Sequence, residues 1–223
     1  KKLLKMTFPS WKLKKKFEKM SFRLEKKFTL DTRKYDEFIR YINTIDAKKI
    51  YNSRKVFSTY FENDFFSSFK QSEEGVVPRK KIRIRSYNTN DHSVVSKLEI
   101  KISAEDSRFK KVEKIKSKHQ IEKLLNRGLL DRNYGLCKPL LNVSYEREYY
   151  QLTDHRITID KNINYCNFKR KIKIFKEPLS IIEFKSDTTK DINLYDSILT
   201  SPISRFSKYC RGINKVFFNV KNF

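Results

Sequence analysis

In Lys81-Ile82-Arg83-Ile84-Arg85, cations alternate with isoleucines. An extended strand turns successive side chains to opposite faces. The spacing therefore sends Lys81, Arg83 and Arg85 one way and Ile82 and Ile84 the other. Two guanidinium groups on one strand can each fork onto the oxygens of a phosphate. Taken alone, the segment also reads as an ordinary amphipathic strand with a wet, basic face. The alternation recurs, however, in Lys97-Leu98-Glu99-Ile100-Lys101-Ile102, in Arg156-Ile157-Thr158-Ile159-Asp160 and in Ile181-Ile182-Glu183-Phe184-Lys185. Arg23, Glu25 and Lys27 alternate with Phe22 and Leu24, with Lys26 out of pattern. Several such strands suggest a sheet closed on itself, its apolar faces outside under helices and its charged faces lining the inside. Buried, unpaired cations are costly, so an anion or the few inner carboxylates must compensate them. A basic lumen dotted with carboxylates suits a polyphosphate-like anion and its metal. By the same reasoning, removing Lys27 or Arg83 is expected to relieve repulsion and stabilise the unliganded protein.

The elements that hold these residues must come from 223 residues, enough for one domain or a barrel with appended helices. The 18 Phe and 12 Tyr supply a core. Lys and Arg total 51 against 26 Asp and Glu, a net charge of +25, which predicts attraction to polyanions. There are only four glycines, Gly75, Gly128, Gly135 and Gly212, and they are not clustered. That excludes a Walker loop and a GxGxxG turn, so phosphate must be held by side chains. Cys137, Cys166 and Cys210 are odd in number and form no CxxC, which suggests neither a disulfide framework nor a zinc site. His92, His119 and His155 are too dispersed to read as a ligand cluster. No apolar run approaches the roughly 18 to 20 residues of a membrane span. No signal peptide is visible in a sequence that begins at Lys1.

Along the chain, residues 1–20 form a basic N-terminal arm with Leu3, Leu4, Met6, Phe8 and Trp11 interspersed. Such an arm is a solvated terminus or a contact for an anionic membrane surface. Residues 21–223 read as one domain. Strands are expected at about 22–29, 49–61, 80–87, 94–103, 141–151, 156–160, 168–176 and 179–186. Asp31 or Thr32 caps a helix at about 32–46, and the Lys-rich stretch 107–127 reads as one or two helices. From about 190 the chain reads as helix, then a short helix carrying Ser204 to Tyr209. The count gives an α+β fold, an antiparallel eight-stranded barrel with flanking helices, whose interior holds side chains or one small ligand. Tyr145, Tyr149 and Tyr165 are read as packing residues.

The succession Arg23-Leu24-Glu25-Lys26-Lys27-Phe28, Lys81 to Arg85, Leu98-Glu99-Ile100-Lys101, Ser144-Tyr145-Glu146-Arg147, Arg156 to Asp160, Ile182-Glu183-Phe184-Lys185 and Ser207-Lys208-Tyr209-Cys210-Arg211-Gly212 resembles the VTC domain. This is the polyphosphate polymerase domain of the triphosphate tunnel metalloenzyme superfamily, and the resemblance covers about residues 21–214. It implies an antiparallel tunnel with a C-terminal capping helix, in which the γ-phosphate of ATP passes to a growing polyphosphate chain. Carried over by motif, Lys27, Arg83, Arg85, Lys101, Arg147, Arg156 and Lys208 are the catalytic cations. Arg23, Lys81 and Arg205 are further substrate-binding residues, with Arg205 and Lys208 closing over the tunnel. Glu183 matches the ligand of a Mn²⁺ or Mg²⁺ cofactor. Glu25 and Glu99 are further metal ligands or, as preferred here, ion-pair partners orienting Lys27 and Lys101. The implied partners are ATP and inorganic polyphosphate, with a separate membrane-protein partner for any export and no specific nucleic acid. The expected location is cytoplasmic, or peripheral at the inner face of the membrane. A tripolyphosphate or nucleoside-triphosphate hydrolase and a non-catalytic polyphosphate sensor are the alternatives.

Overall fold

The structure is a computed structural model, and it describes residues 24–92, 95–105, 108–115, 117–152, 155–171, 173–186 and 203–218. The N-terminal arm, Arg23 and the helix expected from about 190 lie outside these residues, save for the last stretch from 203.

Among the described residues, ten strands and four α-helices follow in order: β1 (Leu24–Leu30), α1 (Thr32–Thr44), β2 (Lys48–Glu62), α2 (Ser67–Glu74), β3 (Arg79–Tyr87), β4 (Lys97–Ser103), β5 (Arg108–Lys114), α3 (Lys118–Arg127), β6 (Leu129–Asp131), β7 (Gly135–Leu152), β8 (His155–Asn167), β9 (Ile174–Lys176), β10 (Ser180–Ser186) and α4 (Lys208–Ile213). A π-helical turn, Asn214–Phe218, continues α4. Asp31 caps α1 by accepting from the Lys34 amide. Eight strands make one antiparallel path, β1-β10-β8-β7-β2-β3-β4-β5, with β6 paired to β7 and β9 to β8. The expected antiparallel α+β architecture is therefore present. Among the described residues no ladder joins β1 to β5, so the sheet is not closed by strand pairing. At that end the backbone oxygen of Lys27 accepts from the Ser204 amide at 2.8 Å, which brings the segment before α4 onto β1.

Alternation decides the layers. The outward faces of β1, β8 and β10 bury Phe28, Ile157, Ile159, Ile182 and Phe184 against Phe38 and Ile42 of α1. Those of β2, β3 and β4 bury Phe61, Ile82, Ile84 and Leu98 against Ile121 of α3. The inner face is divided. Towards one end it carries Tyr60, Leu141, Val143, Tyr145, Tyr165 and Ile181, and there α4 seats Tyr209, Cys210 and Ile213. Seating is close: a Cβ on Gly212 would meet Leu141 and Tyr165 carbons at 2.7 Å. The rest of the inner face is charged.

Two expectations are corrected. The stretch 107–127 is an edge strand, β5, followed by the shorter helix α3. Its lysines favour helix locally, but Lys97 to Ser103 of β4 pair with it residue for residue. Charge is also well tolerated on an edge strand. The connection between the strands expected at 49–61 and 80–87, whose polar residues around Glu73-Glu74-Gly75 read as a loop ending at Pro78, contains a helix, α2. No helix of the described residues is long and apolar enough to cross a membrane.

Gly128 ends α3 with φ 77° and ψ −165°, a region nearly closed to other residues. A Cβ there would lie 2.4 Å from the carbonyl oxygen of Cys137. Gly128→Ala is expected to lower the unfolding free energy by about 2 kcal/mol or more in urea titration; an unchanged midpoint would contradict this geometry.

Candidate active site

Strand register brings the sequence-predicted cations onto one face. Lys27 of β1 lies opposite Glu183 of β10. Arg147 of β7 lies opposite Asp160 of β8, and Arg83 of β3 lies between Tyr60 of β2 and Glu99 of β4. Facing partners in antiparallel strands share a side, so these groups converge on the concave face.

Two carboxylates organise them. Glu99 is 2% exposed and accepts both Nε and Nη2 of Arg83, at 2.8 and 2.7 Å. Lys110 reaches its other oxygen at 2.6 Å, and Arg85 lies 3.6 Å away. Asp160 is 1% exposed and takes Arg147 through two nitrogens at 2.5 and 2.6 Å. Lys208 of α4 donates to the same carboxylate at 2.5 Å. Burial alone would raise both carboxyl pKa values, but the neighbouring cations dominate and hold each at about 2.

Tyrosines space the cations. The Tyr145 hydroxyl accepts from Arg85 at 3.1 Å, while Arg147 and Lys208 lie 5.3 and 4.8 Å from its ring centroid. Tyr60 accepts from Arg83 at 2.7 Å. Lys81 turns to Ser207 Oγ at 3.0 Å and to the Tyr209 ring, so it ties β3 to α4. Glu62, at the end of β2, accepts the amides of Asn63, Ser68 and Phe69 and the Tyr209 hydroxyl. One carboxylate thus caps α2 and anchors α4, one residue from Lys208.

Lys27, Arg83, Arg85, Arg147 and Lys208 therefore line one concave face. Lys101 is half-buried opposite Lys81, farther along β4. Arg156 is exposed, its guanidinium 5.3 Å from the Tyr149 ring, nearer the opposite end. Arg205 is exposed and precedes α4, which begins at Lys208, so it is not on that helix.

The candidate metal ligands separate. Glu99 is engaged by three cations and lies strands away from Glu25 and Glu183. Those two flank one ammonium: Lys185 Nζ is 3.4 Å from Glu25 and 3.5 Å from Glu183. Burial opposes ionisation of Glu183, yet Lys27, Lys185, Arg147 and Lys208 hold its pKa well below the usual range. Lys27, conversely, is lowered by burial, with Glu183 opposing. Among the described residues no three His, Cys, Asp or Glu side chains form a metal cluster. A pair of carboxylates around one cation still fits Mg²⁺ or Mn²⁺, which commonly take one or two carboxylates and complete the shell with phosphate oxygens and water.

Sequence reading did not assign Asp160, Tyr60, Lys110 or Glu62 to the site. Asp160 has the parity of Arg156 and closes the motif that Arg156 opens, and those were its signals in the sequence. Lys110 was hidden by the helical reading of 107–127.

The chain belongs to the VTC domain family, which matches residues 11–217. Solved structures share its fold. A protein from Bacillus halodurans, described as a candidate adenylate cyclase, is 15% identical with a TM-score of 0.59, over 87% of this chain and 97% of that one. A conserved hypothetical protein from Pyrococcus furiosus is 13% identical with a TM-score of 0.50, over 84% and 99%. Among curated proteins, none matches. Family and fold together make this a member of the triphosphate-tunnel class.

The ion pairs reverse one expectation. Arg83 is bound to Glu99, so Arg83→Ala leaves a buried carboxylate short of a partner. It should lower, not raise, the melting temperature of the unliganded protein. A rise would mean that repulsion dominates. Acid has a signed effect too. Glu99 and Asp160 are depressed from ordinary values of 4.5 and 3.8 to about 2. Their stabilisation is complete above about pH 5 and is lost as pH falls through the carboxylate range towards 2. Each contributes about 2–3 kcal/mol by linkage. Urea midpoints between pH 5 and 2.5 should fall steeply; a flat profile would remove both pairs from the stability of the fold.

Proposed function

We propose that this domain is a metal-dependent polyphosphate polymerase that transfers the γ-phosphate of ATP to a growing inorganic polyphosphate chain. The observation that carries the reading is the convergence of Lys27, Arg83, Arg85, Arg147 and Lys208 on one face. There Asp160 and Glu99 are held ionised at about pKa 2. Phosphoryl transfer spreads charge over equatorial oxygens, so positioned cations supply most of the catalysis. A carboxylate with so low a pKa is a poor base for removing a proton from water. A chain-terminal phosphate is already ionised at neutral pH and needs no base. The charge pattern therefore favours a phosphate acceptor over water.

In the reaction, a terminal oxygen of the chain attacks the γ-phosphorus. The bond from that phosphorus to the bridging oxygen breaks, and ADP leaves with the electron pair. Arg83 and Arg85 enter from one strand and hold oxygens of the transferring group. Lys27 and Lys208 approach from β1 and α4 and add compact charges. Glu183 and Glu25 would hold Mg²⁺ or Mn²⁺, which neutralises phosphate charge when bound. ATP and polyphosphate are thus the proposed ligands.

Pure protein with ATP and Mn²⁺ should yield ADP and a ladder of long chains on a polyphosphate-stained gel. Free phosphate without chains would replace the polymerase reading with hydrolysis. Lys27→Ala should reduce turnover by about 100-fold or more, measured as ADP release. Glu183→Gln should shift the metal titration to higher concentration; an unchanged titration would exclude Glu183 as a ligand.

A further inference from the structure

Tyr60 lies directly across the ladder from Arg83 and is 6% exposed. Its ring is 5.1 Å from that of Tyr209 on α4. Its oxygen accepts Arg83 Nη1 at 2.7 Å. A phenol oxygen accepts, but it also carries one hydrogen to donate. A guanidinium cannot receive that hydrogen, because it has donors only. Among the described residues, no acceptor takes it. The charged groups that influence Tyr60 most are Arg83, Arg85 and Lys208, and none of the three can accept. Burial resists ionisation of the phenol, and these cations outweigh burial and draw its pKa down, which also makes the hydroxyl a better donor. A buried hydroxyl whose hydrogen has no acceptor is destabilising, and here it stands where the cations converge.

We infer that Tyr60 binds the substrate directly, donating its hydroxyl hydrogen to a phosphate oxygen held between Arg83 and Lys208. The inference rests on the proposed function in one respect, that a triphosphate group occupies the concave face. A phosphate oxygen is an acceptor and carries negative charge, so it satisfies the orphaned hydrogen and the three cations together. Tyr145 also accepts from a guanidinium, that of Arg85 at 3.1 Å, but it lies on β7, with Arg147 and Lys208 against its ring. Tyr60 is the tyrosine across the ladder from Arg83 and against Tyr209 of α4.

The test is calorimetric titration with tripolyphosphate, which has no nucleobase, on the whole chain and on Tyr60→Phe, Arg83→Lys and the double variant. Phenylalanine keeps the ring against Tyr209 and removes only the oxygen. Tyr60→Phe is expected to bind tripolyphosphate about tenfold more weakly, and to lose a similar factor in the Arg83→Lys background. Unchanged affinity would overturn the inference. So would a loss that vanishes in the Arg83→Lys background, because Tyr60 would then act only by orienting Arg83. Absence of tripolyphosphate binding by the wild type would overturn the proposed function and this inference with it. Wild-type binding with no loss in Tyr60→Phe would overturn the inference alone. Should Tyr60→Phe not fold, the near-ultraviolet difference spectrum of the wild type decides. Tripolyphosphate should perturb a tyrosine band, and no perturbation would reject direct contact.

Discussion

The structure depends on how cations are kept together on one buried face before any anion arrives. Coulomb repulsion among Arg83, Arg85, Arg147 and Lys208 would splay the sheet in a medium of low dielectric constant. Two inner carboxylates prevent it, and each is shared. Asp160 is bonded by Arg147 from the adjacent strand and by Lys208 from α4. Glu99 is bonded by Arg83 and Lys110, with Arg85 beside it. Sharing neutralises the cluster only in part, so a positive surplus is left for a ligand.

The same pairs fasten the architecture. Among the described residues the β1 and β5 edges are not joined by a ladder. The segment from Ser204 to Lys208 binds the concave face instead, through the Lys27 backbone, Ser207 and Asp160. Below it, the apolar half of the face takes α4, and Glu62 fixes Tyr209 while capping α2. Charge and packing therefore act on adjacent residues. Tyr209 is anchored in the core, and Lys208 beside it is carried to the site. Rigid placement of this kind is what electrostatic catalysis requires, because the groups need not reorganise as charge develops.

Much of the layer arrangement was legible because β-strands alternate with a period of two. In β3, parity assigned Ile82 and Ile84 to the core and Arg83 and Arg85 to the lumen, and burial follows that division for the isoleucines. Arg85 is also buried, at 6% exposure, because ion pairing lets a charge leave water. Parity failed for β5. Arg108-Phe109-Lys110-Lys111-Val112-Glu113-Lys114 has lysines on both sides and a composition that suits a helix. Only the exposed edge of β4 gives it a reason to be extended.

By itself the sequence determined the family, the alternating strands and the residue types available to grip phosphate. Those are local properties: a repeat of two, an ordered set of short motifs and a shortage of glycine. Tertiary structure decided which carboxylate serves which cation. Glu99 does not wait on the lumen wall as a free ligand, since register places it beside Arg83 and the edge strand brings Lys110 to it. Asp160 and Tyr60 became site residues only because β7 and α4 approach the one and β3 the other. Partner choice depends on distances between segments remote in sequence, and no local pattern encodes those distances.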